Sequence, residues 1–485
     1  MGISLLLASL FTSLILSRSA ADEKFDVRQH LATVTRYGVA QDSNTDSFVP
    51  SVIPDGCSAI HLNLLARHGT RSPTTKRIKE LDRLAARLDV LLNDAKDEAG
   101  QNSSSLNTPA WLWGWRSPWE GKQKGGELIN KGEEELYLLG KRIKEKFAAL
   151  FDEEYHPDVF SIRATQVPRA SASAVAFGIG LFAGKGNLGP GGHRAFSVIS
   201  ESRASDMCLR FYDSCQTYKR YKENQEPAVD KIKEPILRII AAEVGRRYQL
   251  GFTKQDVASL WFLCKQEASL LDITNQACGL FNATEVSLLE WTDDLEGFLL
   301  NGYGNSVNYR MGIPLLQDVI QSIEQAIIAK EGNHTPGTFE KARLRFAHAE
   351  TVAPFACLLG LFLEGSEFEQ IQREEPLDLP SKPPQKRNWK GSVVAPFAGN
   401  TMLVLYACHS DDSTTVISSE DRRKKYFVQV LHNEIPVRLP GCGNIDFCPL
   451  EVFKEQIVNP HLKHDFDSVC NFMPENTKVH LVSDS

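Results

Sequence analysis

The feature that most constrains this chain is a short apolar run that ends in a cluster of cationic and flexible residues. Residues 60–66 read IHLNLLA, and residues 67–73 continue directly as RHGTRSP. An apolar run of this length, bounded by glycine and proline, is typical of a buried strand that ends in a loop. Open α/β sheets usually bind their ligands in the crevice beyond the carboxyl ends of such strands. The sequence therefore predicts an α/β fold with a reactive loop at the edge of its sheet.

This loop combines residue types suited to anion chemistry. The guanidinium groups of Arg67 and Arg71 flank the imidazole of His68, and a guanidinium can grip an oxyanion such as phosphate through parallel N–H donors. Protonation of His68 would add a third positive charge, so the ring tends to stay neutral, and a neutral ring nitrogen is a nucleophile. The alternative is a solvated basic loop with an ordinary histidine. Gly69 lets the backbone approach a ligand and Pro73 ends the loop, which favours the functional interpretation.

Two later segments repeat the order of strand, loop and helix. Residues 160–173 read FSIRATQVPRASAS and supply two candidate cations, Arg163 and Arg169. Arg163 can instead be an ordinary strand-end charge. Residues 343–350 read RLRFAHAE and place His348 and Glu350 at the end of another predicted strand. His348 could be a packed core histidine, but a carboxylate two positions on, at a strand end, weighs against that interpretation. Residues 393–397, 402–408 and 425–431 are predicted as further strands.

The motif RHGTRSP matches the Arg-His-Gly-x-Arg-x-Pro signature of the histidine acid phosphatases, so the chain resembles that family. Most of the wider family has His-Asp where this chain has His348-Ala349-Glu350, and this variation is similar to the plant multiple inositol polyphosphate phosphatase branch, which has phytase activity. Compared with the Asp of the wider family, Glu350 stands one residue later and its side chain is one methylene longer. The sequence leaves open whether its carboxyl group reaches the same position. The resemblance implies a mixed, mainly parallel sheet flanked by helices. It also implies a smaller, mostly helical lobe inserted at about residues 184–314.

The same resemblance implies hydrolysis of inositol polyphosphates, including inositol hexakisphosphate, through a phosphohistidine. His68 would attack phosphorus and Glu350 would protonate the leaving alcohol. The implied ligands of the phosphoryl oxygens are Arg67, Arg71, Arg169 and His348. This scheme requires no metal and no organic cofactor. Lys76 and Arg77 follow the motif directly and can accept neighbouring phosphates of the substrate, or they can form a solvated first helical turn.

Two other classes of function compete with this one. A phosphoglycerate-type phosphatase or mutase also forms a phosphohistidine after an Arg-His-Gly start, but a mutase returns the phosphoryl group to its substrate. A non-catalytic phosphate-binding glycoprotein would bind without turnover. The net charge of −7 argues against a nucleic-acid partner, because such proteins usually carry basic faces. We expect a small-molecule substrate and a monomeric protein.

The N-terminus predicts entry into the secretory pathway. Residues 3–16 form an uncharged apolar stretch, and Ser19 and Ala21 are small residues at a plausible cleavage point, so residues 1–21 are interpreted as a signal peptide and 22–485 as the phosphatase domain. The alternative is an uncleaved membrane anchor. After cleavage we expect no stable membrane insertion and an extracellular or vacuolar destination, with the endoplasmic reticulum lumen as a further option. Glycosylation sequons begin at Asn102, Asn282 and Asn333.

The ten cysteines predict disulfides in a secretory protein, although spacing alone does not give their connectivity. The family resemblance implies four pairs: Cys57–Cys408, Cys215–Cys470, Cys264–Cys278 and Cys442–Cys448. Cys208 and Cys357 would be left over. Cys357 lies in an apolar run and is predicted to be a small core residue.

Overall fold

The structure is a computed structural model, and it describes residues 25–42, 53–54, 56–99, 107–408, 425–443 and 445–471. The predicted signal peptide, residues 1–21, and the sequon at Asn102 lie outside these residues.

One mixed sheet contains the seven strands of the described chain. They are β1 (Cys57–Arg67), β2 (Phe160–Ala164), β3 (Ala342–Ala347), β4 (Asn400–Cys408), β5 (Tyr426–His432), β6 (Ile435–Val437) and β7 (Cys448–Pro449). Their order is β2-β3-β1-β4-β5-β6, and β7 pairs with β5. Strands β2, β3 and β1 are parallel neighbours, whereas every pairing of β4, β5, β6 and β7 is antiparallel. The predicted mixed sheet flanked by helices is confirmed, and its parallel part consists of the three strands that precede the motif loops.

Helices cover both faces of the sheet and extend beyond it. They are α1 (Tyr37–Asp42), α2 (Thr75–Ala99), α3 (Asn130–Lys146), α4 (Pro168–Leu181), α5 (Phe211–Ser214), α6 (Gln216–Tyr248), α7 (Lys254–Gln266), α8 (Ala283–Asn301), α9 (Val307–Arg310), α10 (Ile313–Glu331), α11 (Ala349–Leu358), α12 (Gly365–Gln372) and α13 (Gly391–Val394). Three short helices follow, at Leu450–Phe453, Asn459–Leu462 and Phe466–Cys470. Within the described ranges, none of the helices is both long enough and apolar enough to span a membrane.

The described residues form three hydrophobic cores, and the sheet separates two of them. Because side chains alternate across a strand, Leu62 and Leu64 of β1 face one core, with α3 and α4, while Leu65 faces the other, with α10 and α11. The third core joins α2 and two buried tryptophans, Trp115 and Trp119, to α6, α7 and α8. Helix α2, which directly follows the RHGTRSP loop, therefore packs with the helical part of the molecule. The lobe bounds of about 184–314 stay a prediction; the regular elements in that range are helices α5 to α9 and the start of α10.

The described chain has four disulfides, and all four predicted pairs are confirmed: Cys57–Cys408, Cys215–Cys470, Cys264–Cys278 and Cys442–Cys448. The first two connect distant parts of the chain, and the last two close short loops. Cys208 and Cys357 are free, and Cys357 is buried as predicted. Disulfides form and persist in oxidising compartments, so this number of bridges is typical of a protein that matures in the secretory pathway.

The predicted strand at residues 393–397 is wrong. Residues 391–394 form the short helix α13, and Phe397 lies in the loop that follows, where its N–H donates to the carbonyl of Thr35 over 3.0 Å. A short, fully buried apolar run has no polar alternation to distinguish a strand from a helix. The strands predicted at 402–408 and 425–431 are present as β4 and β5.

Candidate active site

The three motif loops meet because their strands end level with one another. In the parallel register, Arg67 at the end of β1 pairs with Ala347 at the end of β3, and Ala164 at the end of β2 pairs with Phe346. The His68 N–H donates to the Ala347 carbonyl over 3.0 Å, and the Thr165 N–H donates to the Phe346 carbonyl over 3.1 Å. The residues immediately after the strands, His68, Thr165 and His348, therefore lie side by side at the carboxyl edge of the parallel strands.

Helices α3 and α4 fix the conformation of the RHGTRSP loop through hydrogen bonds and close packing. Both the N–H and the hydroxyl of Thr70 donate to the buried carboxylate of Glu135, over 2.8 to 2.9 Å. The Gly69 N–H donates to Ser173 Oγ over 3.1 Å. A Cβ atom on Gly69 would overlap the backbone of Gly132, well inside van der Waals distance. Glycine is thus required here for close approach, and the loop has little freedom to move.

The Gly69→Ala protein should lose about a hundredfold in kcat/KM toward phosphomonoesters, because the added methyl group must push the loop away from α3, and a shift of about 1 Å in a reacting group can cost that much. Gly38→Ala is the matched control, since a Cβ atom at Gly38 meets no neighbour within 4 Å. Steady-state kinetics and thermal melting of both variants check the prediction. Equal rates for the two variants would contradict it.

The environment of His68 keeps its ring neutral and directs Nε2 toward the site. The side chain is buried, and Nδ1 lies 2.9 Å from the Gly69 carbonyl oxygen. A carbonyl only accepts hydrogen bonds, so Nδ1 carries the proton and Nε2 has the free lone pair. Burial, followed by the charges of Arg67 and Arg169, holds the pKa of His68 well below its usual range. The ring is therefore neutral, and its Nε2 has a free lone pair.

Three arginines converge on this histidine with unused donors. Arg67 lies over the Phe397 ring, 4.4 Å from its centroid, and its Nη1 donates to the Thr33 and Ala395 carbonyls. The Nε atoms of Arg67, Arg71 and Arg169 are all buried and have no hydrogen-bond partner among the described residues. Buried polar groups are normally paired, so three such donors in one place indicate an anion site.

Burial and mutual repulsion weaken the proton affinity of these guanidinium groups. Burial and then Arg71 lower the pKa of Arg67 to about 9, and burial and then Arg169 lower the pKa of Arg71 to about 10. Burial also lowers the pKa of Arg169. Bringing these positive charges together costs free energy, which a bound oxyanion would recover through charge-assisted hydrogen bonds.

His348 lies next to His68, with ring centroids 5.4 Å apart. Its Nε2 is 2.9 Å from Thr165 Oγ1 and 3.2 Å from Arg210 Nη1, and its Nδ1 is 3.4 Å from Arg169 Nη2. Burial lowers the pKa of His348, and the positive charges of Arg169 and Arg210 lower it further, against the attraction of Glu350. His348 is thus a neutral ring directed at the same point as Arg169.

Glu350 stands in the first turn of α11, two residues after His348. Solvent reaches its carboxyl group, although protein atoms surround it closely on the other sides. Burial acts to raise the pKa of Glu350, but His348, the backbone N–H of Glu350 itself, Arg67 and Lys222 outweigh it, so the net pKa is lowered. The carboxyl group is therefore at the solvent-facing edge of the cationic cluster.

Lys76 and Arg77 lie at the rim of the cationic cluster and not at its centre. Both side chains are exposed in the first turn of α2. Arg77 pairs with Glu80 over 2.6 Å and lies over the Phe262 ring at 4.7 Å, while its charge still acts on Arg71. Arg163, the other arginine of the segment at residues 160–173, instead has its Nη1 atom 3.7 Å from Asp318 Oδ1.

Several residues that shape the site were not identified from the sequence. They are Glu135, Thr165, Ser173, Arg210 and Phe397. Thr165 follows the end of β2 directly, so its position at a strand end was a usable signal. Ser173 also lies in the segment at residues 160–173. Glu135, Arg210 and Phe397 come from helices or loops outside the three motif segments, and only the folded chain brings them to the site.

The comparisons with known proteins agree with this geometry. Residues 60–433 match the family model described as histidine phosphatase superfamily (branch 2). The chain is 25% identical to multiple inositol polyphosphate phosphatase 1 of Dictyostelium discoideum over 473 residues, which cover 87% of this chain and 70% of that protein.

Solved structures share the fold. The phytase from D. castellii has a TM-score of 0.66 and 19% identity, covering 96% of this chain and 92% of its own. The multiple inositol polyphosphate phosphatase of Bifidobacterium longum, crystallised with inositol hexasulfate, has a TM-score of 0.58 and 18% identity, covering 86% of this chain and 95% of its own.

Proposed function

Since this chain belongs to branch 2 of the histidine phosphatase superfamily, we propose that it hydrolyses the phosphate esters of inositol polyphosphates, including inositol hexakisphosphate, through a phosphohistidine at His68. The observation that carries the proposal is a neutral histidine with a free Nε2 beside three guanidinium groups, those of Arg67, Arg71 and Arg169. Their charges act on this histidine, and their buried Nε atoms have no hydrogen-bond partner among the described residues. The names of its relatives and the inositol hexasulfate bound by the Bifidobacterium longum protein support the substrate class.

In the first step, His68 Nε2 attacks phosphorus and the bond between phosphorus and the inositol oxygen breaks. The electron pair of that bond goes to the inositol oxygen, which takes a proton from Glu350. Arg67, Arg71, Arg169 and His348 donate to the phosphoryl oxygens, where negative charge is spread in the transition state. These donors are already in place before the substrate arrives, so little reorganisation is needed.

In the second step, water attacks the phosphohistidine. The Glu350 carboxylate, left deprotonated by the first step, takes the proton of this water, and the bond between phosphorus and Nε2 breaks. Inorganic phosphate leaves, and His68 returns to its neutral form with the proton still on Nδ1. The residues named here account for every proton in the cycle.

The lowered pKa of His68 predicts activity under acidic conditions. A histidine with an unshifted pKa would be protonated, and so inactive as a nucleophile, below about pH 6.5. The folded protein disfavours that extra charge through burial and through Arg67, Arg169, His348 and Arg71. The acid limb of kcat/KM, corrected for ionisation of the substrate, should therefore lie well below pH 6.5. A limb centred near pH 6.5 would contradict the assignment.

The function is tested by resolving the products of inositol hexakisphosphate over time while measuring free phosphate. We expect a ladder of lower inositol phosphates with one phosphate released for each ester lost. The same assay with a phosphoglycerate distinguishes the alternatives, because a mutase would isomerise that substrate without releasing phosphate. Saturable binding of inositol hexakisphosphate without any turnover would support the non-catalytic alternative and contradict the proposal.

The rim cations Lys76 and Arg77 should add affinity for a substrate with several phosphates. The double variant Lys76→Gln/Arg77→Gln should raise KM for inositol hexakisphosphate by about threefold to tenfold at low ionic strength, where exposed charges are least screened. The KM for p-nitrophenyl phosphate should change little. Lys79→Gln/Arg83→Gln is the matched control, since it removes the same charge from exposed positions further along α2. Equal effects on both substrates would indicate a general defect instead.

We also propose an extracellular or vacuolar place of action for a monomeric protein. The four disulfides support an oxidising destination. Two of the predicted sequons, at Asn282 and Asn333, begin at exposed residues that a glycan could reach. Deglycosylation followed by mass measurement of the secreted protein tests their occupancy.

A further inference from the structure

A buried arginine, Arg210, contacts His348 on the side away from the proposed phosphate position. Arg210 Nη1 lies 3.2 Å from His348 Nε2. Its Nε donates to Asp213 Oδ2 over 2.8 Å, and its Nη2 pairs with the same oxygen. The residue precedes the short helix α5 and is separated from His348 by 138 positions in the sequence. It belongs to none of the motif segments.

The segment that carries Arg210 is tied to the helix that carries His348 and Glu350. The Thr351 hydroxyl of α11 donates to the Leu209 carbonyl over 2.8 Å. The Arg210 N–H donates to the Asp206 carbonyl over 3.0 Å. The guanidinium group thus has a defined position relative to the His348 ring.

The contact with Arg210 determines which nitrogen of His348 carries the proton. A guanidinium group is charged at all relevant pH values and only donates hydrogen bonds, so Nε2 of His348 must accept. The Thr165 hydroxyl, 2.9 Å from the same nitrogen, can donate as well. The neutral ring then has its proton on Nδ1. With Nε2–H instead, two donors would face each other at 3.2 Å, whereas the competing guanidinium contact, from Arg169 Nη2 to Nδ1, is longer at 3.4 Å.

We propose that Arg210 is a positioning residue that holds His348 as the Nδ1–H tautomer, so that Nδ1 donates to a phosphoryl oxygen of the substrate. The proposal rests on the proposed function of the site. Nδ1 lies 3.4 Å from Arg169 Nη2, and both atoms are then donors that converge on one point, which an oxyanion can satisfy. Because the Nη1, Nε and Nη2 atoms of Arg210 are engaged with His348 and Asp213, Arg210 acts through His348 and not on the substrate itself.

The first test reads the tautomer directly and needs no substrate. In ¹⁵N-histidine-labelled protein, the His348 signals are assigned by their loss in His348→Asn. We expect a protonated Nδ1 and an unprotonated Nε2 in the unsubstituted protein and in Arg210→Lys, which keeps a donor. In Arg210→Ala we expect the Nε2–H form to become populated. An Nε2–H tautomer in the unsubstituted protein, or an unchanged Nδ1–H tautomer in Arg210→Ala, would overturn the proposal.

The second test is a double-mutant cycle on the first displacement with p-nitrophenyl phosphate. Arg210→Ala should lower the rate about tenfold to hundredfold, the usual cost of losing the partner that orients a site histidine, and Arg210→Lys should recover most of it. The Arg210→Ala/His348→Ala protein should be within about threefold of His348→Ala alone, because Arg210 acts through His348. Fully additive losses would overturn the proposal.

A variant that fails to fold is replaced by Asp213→Asn, which leaves Arg210 present but removes its anchor. Its expected effect lies in the same direction and is smaller. If the unsubstituted protein released no phosphate from any ester, the proposed function would fail. The tautomer measurement would still decide the role of Arg210, so the two failures are distinguishable.

Discussion

The His68→Ala protein is expected to fold normally but to turn over neither inositol hexakisphosphate nor p-nitrophenyl phosphate, with a loss of at least about ten-thousandfold in kcat. Loss of a covalent nucleophile is among the most costly changes to an enzyme, and the charges of Arg67, Arg71 and Arg169 all act on the ring of His68. The remaining cations still bind phosphate but have no atom to transfer it to. Binding of inorganic phosphate should therefore persist while turnover is lost.

The measurement combines initial rates for both substrates with rapid quenching into alkali, where a phosphohistidine survives. The unsubstituted protein should show one phosphoryl group on His68 during turnover, and His68→Ala should show none. His156→Ala is the control, because His156 is an exposed histidine outside the site. A folded His68→Ala protein that kept even a tenth of normal activity would contradict the assignment of His68 as the nucleophile.

Glu350→Gln should slow two substrates unequally, because their leaving groups differ in the need for a proton. An inositol alkoxide is a poor leaving group, whereas a nitrophenolate leaves readily without protonation. A general acid typically contributes about a hundredfold to ten-thousandfold, or roughly 3 to 5 kcal/mol at 1.36 kcal/mol per tenfold. The first displacement on inositol hexakisphosphate should slow by that factor, and the reaction of p-nitrophenyl phosphate should slow far less.

The lowered pKa of Glu350 adds a pH signature to this prediction. In the free protein His348, Arg67 and Lys222 favour the carboxylate, so the protonated acid becomes more abundant as the pH falls. A bound phosphate neutralises part of that positive charge and raises the pKa of Glu350 toward its usual value. Cleavage of inositol hexakisphosphate should therefore decline as the pH rises above this pKa, and Glu350→Gln should lose the decline.

Single-turnover rates of both substrates, measured across pH, isolate the first displacement from the later attack by water. Glu134→Gln is the control, since Glu134 is an exposed carboxylate on α3. If Glu350→Gln slowed both substrates by the same factor, Glu350 would be a structural or binding residue, and another acid would have to be found.

Strands and the loops that follow them could be predicted from the sequence, because they depend on local chemistry. An apolar run followed by RHGTRSP predicts a strand and a cationic loop wherever the rest of the chain goes, because strand patterning and turn residues act over a few positions. The same holds for the segments that carry Arg169, His348 and Glu350. The resemblance added the four cysteine pairs, which no spacing rule gives.

The assembly of these segments into one site depends on contacts that form only in the folded chain. The alignment of β1, β2 and β3 is a register between strands far apart in sequence, and it brings His68, Thr165 and His348 to one edge. The burial that keeps His68 neutral, the carboxylate of Glu135 behind Thr70 and the contact of Arg210 with His348 all join segments that share no local pattern. The run at 393–397 was mistaken for a strand for the same reason: a fully buried segment takes its conformation from its neighbours, which a linear pattern does not contain.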